Sequence, residues 1–206
     1  MSENVLNDYL YNINKFQGLE YLMFIILHNV SPVVVGIKPS VLITFSNNNR
    51  ELFNLWKKHK GYIIKKINLD FCEIKVEENS VVIMFYKKKN LESVLLDKRN
   101  SEFLENMGYE KCMELHEKIN LLIDRYNNGC PHEIGIFLGY PVKDVIEFIK
   151  YPRKKCILCG YWKVYHNPEK AKKIFNEYDR VKNKVIRLFV NETNVDKILQ
   201  KICAAA

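Results

Sequence analysis

Leu69 to Lys89 read LDFCEIKVEENSVVIMFYKKK. On either side of the polar stretch Glu77-Glu78-Asn79-Ser80 lies a run rich in β-branched and aromatic residues, the composition of a pleated, half-buried segment. Asp70–Val76 and Ser80–Tyr86 are therefore expected to pair as an antiparallel hairpin. Side chains alternate across a strand, so Cys72, Ile74 and Val76 should face the core, and Phe71, Glu73 and Lys75 the opposite side. This hairpin decides the fold class, because most of the chain around it reads as helix.

Upstream, GLEYLMFIILHN (residues 18–29) is apolar almost all round, as a helix buried on more than one face would be. The longer apolar run from Tyr21 to Ile37 is broken by His28, Asn29 and Pro32, and is too short on either side of Pro32 to cross a bilayer. It reads as a buried helix followed by an extended segment, with a strand from Val41 to Phe45. NNNRELFNLWKKHKGY (residues 47–62) reads as an Asn-capped helix with Leu52, Leu55 and Trp56 inward and Gly61 as its stop. Downstream, residues 90–109 suggest two short helices, the first capped by Asn90, and residues 112–129 a longer amphipathic one carrying Leu115, Ile119, Leu122, Ile123 and Tyr126. Pro168 opens a long helix with Ala171, Ile174, Phe175, Tyr178, Val181, Val185, Leu188 and Phe189 as its inward stripe. A short helix over Val195–Ile202 follows. The expectation is one α+β domain over residues 1–206, mostly helical, its small antiparallel sheet packed by helices, with residues 1–16 and 203–206 frayed.

Hydrophobic residues at 48% and aromatics at 12% exclude disorder as a global description. The formal charge of +8 invites a nucleic-acid reading. That reading is not favoured: the lysines are scattered among acids, and joint richness in Lys, Asn and Ile is what an AT-rich genome imposes on any protein. MSENVLNDYLYNINKF, residues 1–16, lacks the layout of a secretion signal, so a cytoplasmic location is expected. In a reducing compartment the six cysteines, Cys72, Cys112, Cys130, Cys156, Cys159 and Cys203, are expected as free thiols or ligands rather than disulfides.

Four places could carry chemistry. GCPHEIGIFLGYPVKDVIEFI (residues 129–149) parses as helix, sharp corner, helix. Cys130 caps, Pro131 opens and Glu133 favours the first helix, Gly139 stops it, and Pro141 opens the second. The spacing imitates a DNA-binding helix-turn-helix, but the positions that would enter the groove are Lys143, Asp144, Glu147 and Lys150, and two acids there would repel phosphates. His132 and Glu133 suggest acid–base work, although adjacent helical residues point about 100° apart and do not pair with each other. Cys156 and Cys159 form a Cys-x-x-C pair that Cys130, His132 or His166 could complete as a zinc or iron site, with Lys154 and Lys155 favouring the thiolate. Lys38, a lone cation between Gly36 and Pro39, could hold a small anion beside His132 and Glu133. Lys172, Lys173, Lys182, Lys184 and Arg187 add a basic face to the long helix. The ending Cys203-Ala-Ala-Ala fits a prenylation acceptor pattern, which has no meaning in a bacterium. Phosphate-cradling glycine loops, Gly-x-Ser-x-Gly and His-Glu-x-x-His do not occur.

Three blocks, SPVVVGIKPSVLITF, PHEIGIFLGYPVKDVIEFI and CILCGYWKVYHNPEKAKKIFNEYDRVKN, resemble in order the successive blocks of a bacterial family, domain of unknown function 3793, from about Val30 to Tyr178. The resemblance implies an intracellular single-domain protein with no established activity, and it transfers no catalytic residue. The family pattern often has a further cysteine where this chain has Arg180 and Val181. On the residues alone, three functions are open. The first is an accessory role in metal or thiol-redox handling through Cys156 and Cys159. The second is a small-molecule-binding protein or enzyme with a pocket near Lys38 and His132. The third is nucleic-acid binding through the corner.

Overall fold

The computed structural model describes residues 15–204 apart from Asn49 and Thr193; the expectations for residues 1–14 and for the last two alanines lie outside the described residues. The chain runs α1 (Gly18–Val34), β1 (Ser40–Ser46), α2 (Leu52–Ile67), β2 (Asp70–Val76), β3 (Ser80–Tyr86), α3 (Lys88–Leu96), α4 (Lys98–Glu105), α5 (Leu115–Tyr126), α6 (Ile134–Phe137), α7 (Val142–Lys150), β4 (Leu158–Cys159), β5 (Lys163–Val164), α8 (Pro168–Asn191) and α9 (Val195–Cys203). The hairpin falls where the alternation places it, and β1 joins it to make a three-stranded antiparallel sheet in the order β1-β3-β2. The fold is therefore mixed α+β. None of the described helices is long and apolar enough to cross a membrane.

The sheet is the middle of three layers. β3 is the central strand and is apolar along nearly its whole length, which suits a strand covered on both faces. Val41, Ile43, Phe45, Val81, Ile83 and Phe85 meet the apolar sides of α1, α2, α8 and α9 in one core. Ile74 and Met84, with Leu42, Cys72 and Val82, meet α3–α7 in a second. A third, smaller cluster packs Trp162 and Val164 of the β4–β5 hairpin against Ala171, Phe175 and Tyr178 on α8.

Two covered faces correct the one-sided reading of β2. Phe71 is not on a solvent side: it packs into the first core beside Trp56 and Phe85. The pairing register shifts between Glu73 and Lys75, leaving Ile74 as an extra residue. That bulge reverses the phase of the strand, so Val76 ends 59% exposed instead of buried.

Helix limits differ from expectation where a breaker is compensated. α1 continues through Pro32. The proline removes the N–H that would bond the His28 carbonyl, and the Ser31 hydroxyl donates to that carbonyl at 3.0 Å instead. α2 likewise runs through Gly61 to Ile67. Asn90 does not cap α3; it lies in the first turn, and its amide donates to the Gly36 carbonyl.

Candidate functional site

The corner starts from a shorter element than its sequence suggests. α6 is a single turn, because the Cys130-Pro131-His132-Glu133 segment turns before it instead of belonging to it. Glu133 does not serve a helix N-terminus: it is 3% exposed and accepts from Arg125 Nε and, at 3.3 Å, from the Tyr109 hydroxyl. A buried carboxylate with a cation and a hydroxyl is a structural anchor, tying the turn to α5. His132 sits edge-on to Phe148, ring centroids 5.1 Å apart. The two neighbours thus have separate tasks.

Gly139 has φ +78°, and a Cβ there would stand 2.7 Å from the Pro39 ring. Only glycine lets the corner and the Gly36–Ser40 turn approach this closely. Ser40 Oγ adds a buried bond to the Phe137 carbonyl at 2.7 Å. This clamp brings Lys38 up to Tyr140.

Asp144 was expected on the exposed face of α7 and is instead 2% exposed. Its carboxylate accepts from Trp162 Nε1 at 2.9 Å and from the backbone N–H groups of Tyr165 and His166 at 3.0 and 2.9 Å, and it faces His166 Nδ1 at 3.0 Å. That side chain ties the β4–β5 hairpin and the residues after it to α7, with Lys163 over the Phe148 ring as a second contact. With one inward acid and a one-turn first helix, the corner departs further from a DNA-reading helix-turn-helix.

Between corner and hairpin lies an apolar cavity of about 410 Å³, walled by His132, Ile134, Tyr140, Val145, Phe148 and Trp162, with Cys130 at its edge. Size and lining suit a small apolar group. Lys38 does not line it. The Tyr140 ring, stacked on Trp162 with centroids 5.3 Å apart, is common to the cavity and to the surroundings of Lys38.

Lys38 is 5% exposed. Its amine stands 5.8, 5.8 and 5.6 Å from the ring centroids of Tyr140, Tyr161 and Tyr178. Among the described residues it meets no carboxylate or carbonyl acceptor. Every fully enclosed side-chain nitrogen and oxygen among the described residues is hydrogen bonded, so the unbonded Lys38 amine keeps a sliver of solvent access. Burial, and after it the charge of Lys182, push its pKa down to about 8. Lys182 is also held below the ordinary lysine range by burial, with Asp179 opposing, and lies 4.9 Å from the Tyr161 ring. Asp179 itself accepts from the Tyr161 hydroxyl at 2.7 Å. His28 on α1 is pushed down to about 3 by burial and then by Lys182.

Of the residues singled out from sequence, Lys38 and the corner are brought together and the thiols are not. All six cysteines are free; Cys156 is half-buried, Cys159 and Cys130 exposed. Among the described residues no three His, Cys, Asp or Glu side chains are placed to hold a metal. His166, one of the residues expected to complete the set with Cys130 or His132, has Nδ1 against Asp144 at 3.0 Å. The residues missed by sequence reading are Tyr140, Tyr161, Tyr178, Asp144 and the inward turn of Lys182. One signal was available: Lys182 follows Tyr178 by four residues, on the same side of α8.

A search of curated proteins gives no match, and neither does a search of solved structures. The sequence profile of the family described as Protein of unknown function (DUF3793) matches residues 26–199 of the 206, spanning all three quoted blocks. The sheet and the Lys38 surroundings therefore lie within the matched segment, and the chain belongs to the DUF3793 family.

Proposed function

We propose that the protein binds a small anionic molecule at Lys38. The observation that carries this reading is a lysine 5% exposed with no acceptor among the described residues, ringed by tyrosines and near the half-buried Lys182. Burying a cation without a partner is costly, and an anion brought to Lys38 and Lys182 would offset that cost. The apolar cavity beyond Tyr140 offers space for a small ligand nearby. The metal or thiol reading draws less support, since Cys156 and Cys159 gain no third ligand among the described residues.

Thermal melting with added inorganic phosphate or acetate tests the reading. A saturable rise in melting temperature is expected, lost in Lys38→Met and reduced in Lys182→Met, because a ligand that binds only the folded state stabilises it by mass action. Equal shifts in wild type and Lys38→Met would refute it.

A further inference from the structure

A lysine amine becomes a nucleophile when it is desolvated and when a second cation stands near it, because both disfavour the ammonium form. Lys38 meets both conditions, being 5% exposed with Lys182 within electrostatic reach; the three tyrosine ring faces around it act the other way and keep part of the population as ammonium. The groups facing it are Tyr140 from the corner, Tyr161 from the β4–β5 hairpin, and Tyr178 and Lys182 from α8. The nearest acid on that helix, Asp179, is engaged by the Tyr161 hydroxyl. Lysines that serve only as structural cations are ordinarily neutralised by a carboxylate; among the described residues this one is not.

We propose that Lys38 forms an imine with a small 2-oxo acid or aldehyde acid, whose carboxylate is held by Lys182. The step rests on the anion site described above and adds a covalent bond to it. The free amine of Lys38 attacks the carbonyl carbon; the C–N bond forms as the carbonyl π pair moves to oxygen, which takes up a proton. The carbinolamine then loses its hydroxyl as water while nitrogen gives up its second proton, and C=N replaces C=O. Amine plus carbonyl gives imine plus water, with no oxidant or reductant. Tyr140 and Tyr178, pushed up to about 12 chiefly by burial, remain protonated at neutral pH and are the neighbouring proton donors. With Lys38 at about 8 against an ordinary 10.5, its free amine at pH 7 is on the order of a hundredfold more abundant than that of an exposed lysine. Part of that advantage is lost because a less basic amine is a weaker nucleophile.

Full-length protein incubated with glyoxylate and reduced with sodium borohydride converts any imine to a stable secondary amine, which peptide mass mapping locates. Lys38 is expected to be trapped about tenfold faster than exposed lysines at pH 7. Lys182→Gln should lower the Lys38 yield severalfold without raising that of other lysines. Lys38→Arg keeps the charge and the fold, checked by melting, and should remove this adduct alone. Labelling of Lys38 no faster than exposed lysines, in protein that phosphate still stabilises through Lys38, would overturn the imine and leave the anion site standing. Trapping at Lys38 without any stabilisation by phosphate or acetate would keep the imine and sink the general anion reading.

Discussion

Asp144 and Lys38 are linked through Trp162 and Tyr140, both are nearly sealed from solvent, and their surroundings are opposites. The carboxylate is met by an indole N–H, two backbone N–H groups and a histidine ring. The ammonium is met by aromatic faces and, among the described residues, by no acceptor. A buried charge whose partners are complete is architecture; one whose partners are lacking asks for something from outside. Side by side, the two show which buried polar group in this corner has capacity left over.

The sharpest break in the comparison is Asp144→Ala. It leaves the Trp162 indole and two backbone donors unpaired, and a loss of about 4 kcal/mol in urea unfolding is expected. Lys38→Met should move the other way. At pH 7 without ligand it should stabilise by about 2 kcal/mol, since it removes an unpaired buried charge and keeps much of the packing volume.

The same variant fixes the pH dependence. The folded pKa of Lys38 is depressed to about 8 against 10.5, so between those values the unfolded chain holds the extra proton. The Lys38 contribution is therefore fully favourable above 10.5 and is lost as pH falls through 8. The stability gap between Lys38→Met and wild type should close as pH rises from about 8 to 10.5, a trend that unfolding curves at several pH values would show. The smallest effect is expected from Lys182→Met. Removing its charge should raise the pKa values of both His28 and Lys38 by a fraction of a unit, read by NMR titration. An unchanged His28 would mean that the Lys182 charge does not reach it.

The sheet was legible in sequence because alternation and the acidic turn at Glu77-Glu78 are local signals. What escaped were events decided by neighbours far along the chain. The bulge at Ile74 lies where α5 packs on β2, and no residue in β2 announces it. Pro32 reads as a stop until Ser31 is seen to bond the carbonyl it orphans. Asp144 sits among charged residues on α7 and looks solvated; only the arrival of Trp162, Tyr165 and His166 turns it inward. Lys38 could be marked as a lone cation between Gly36 and Pro39, whereas its ring of tyrosines comes from three later segments. The Cys-x-x-C spacing was the most conspicuous chemical pattern and met no third ligand among the described residues, because spacing in sequence supplies two ligands and the fold must supply the rest.

The irregularity in β2 has a bearing on how the protein behaves among other copies of itself. β2 is an outer strand, and a regular outer strand offers a row of N–H and C=O groups to any other extended chain. The extra residue at Ile74 breaks the spacing of that row midway, and Lys75 beside it places a charge where a second strand would have to dock. Straightening the strand by deleting Ile74 would remove the interruption and make the edge a template for intermolecular pairing.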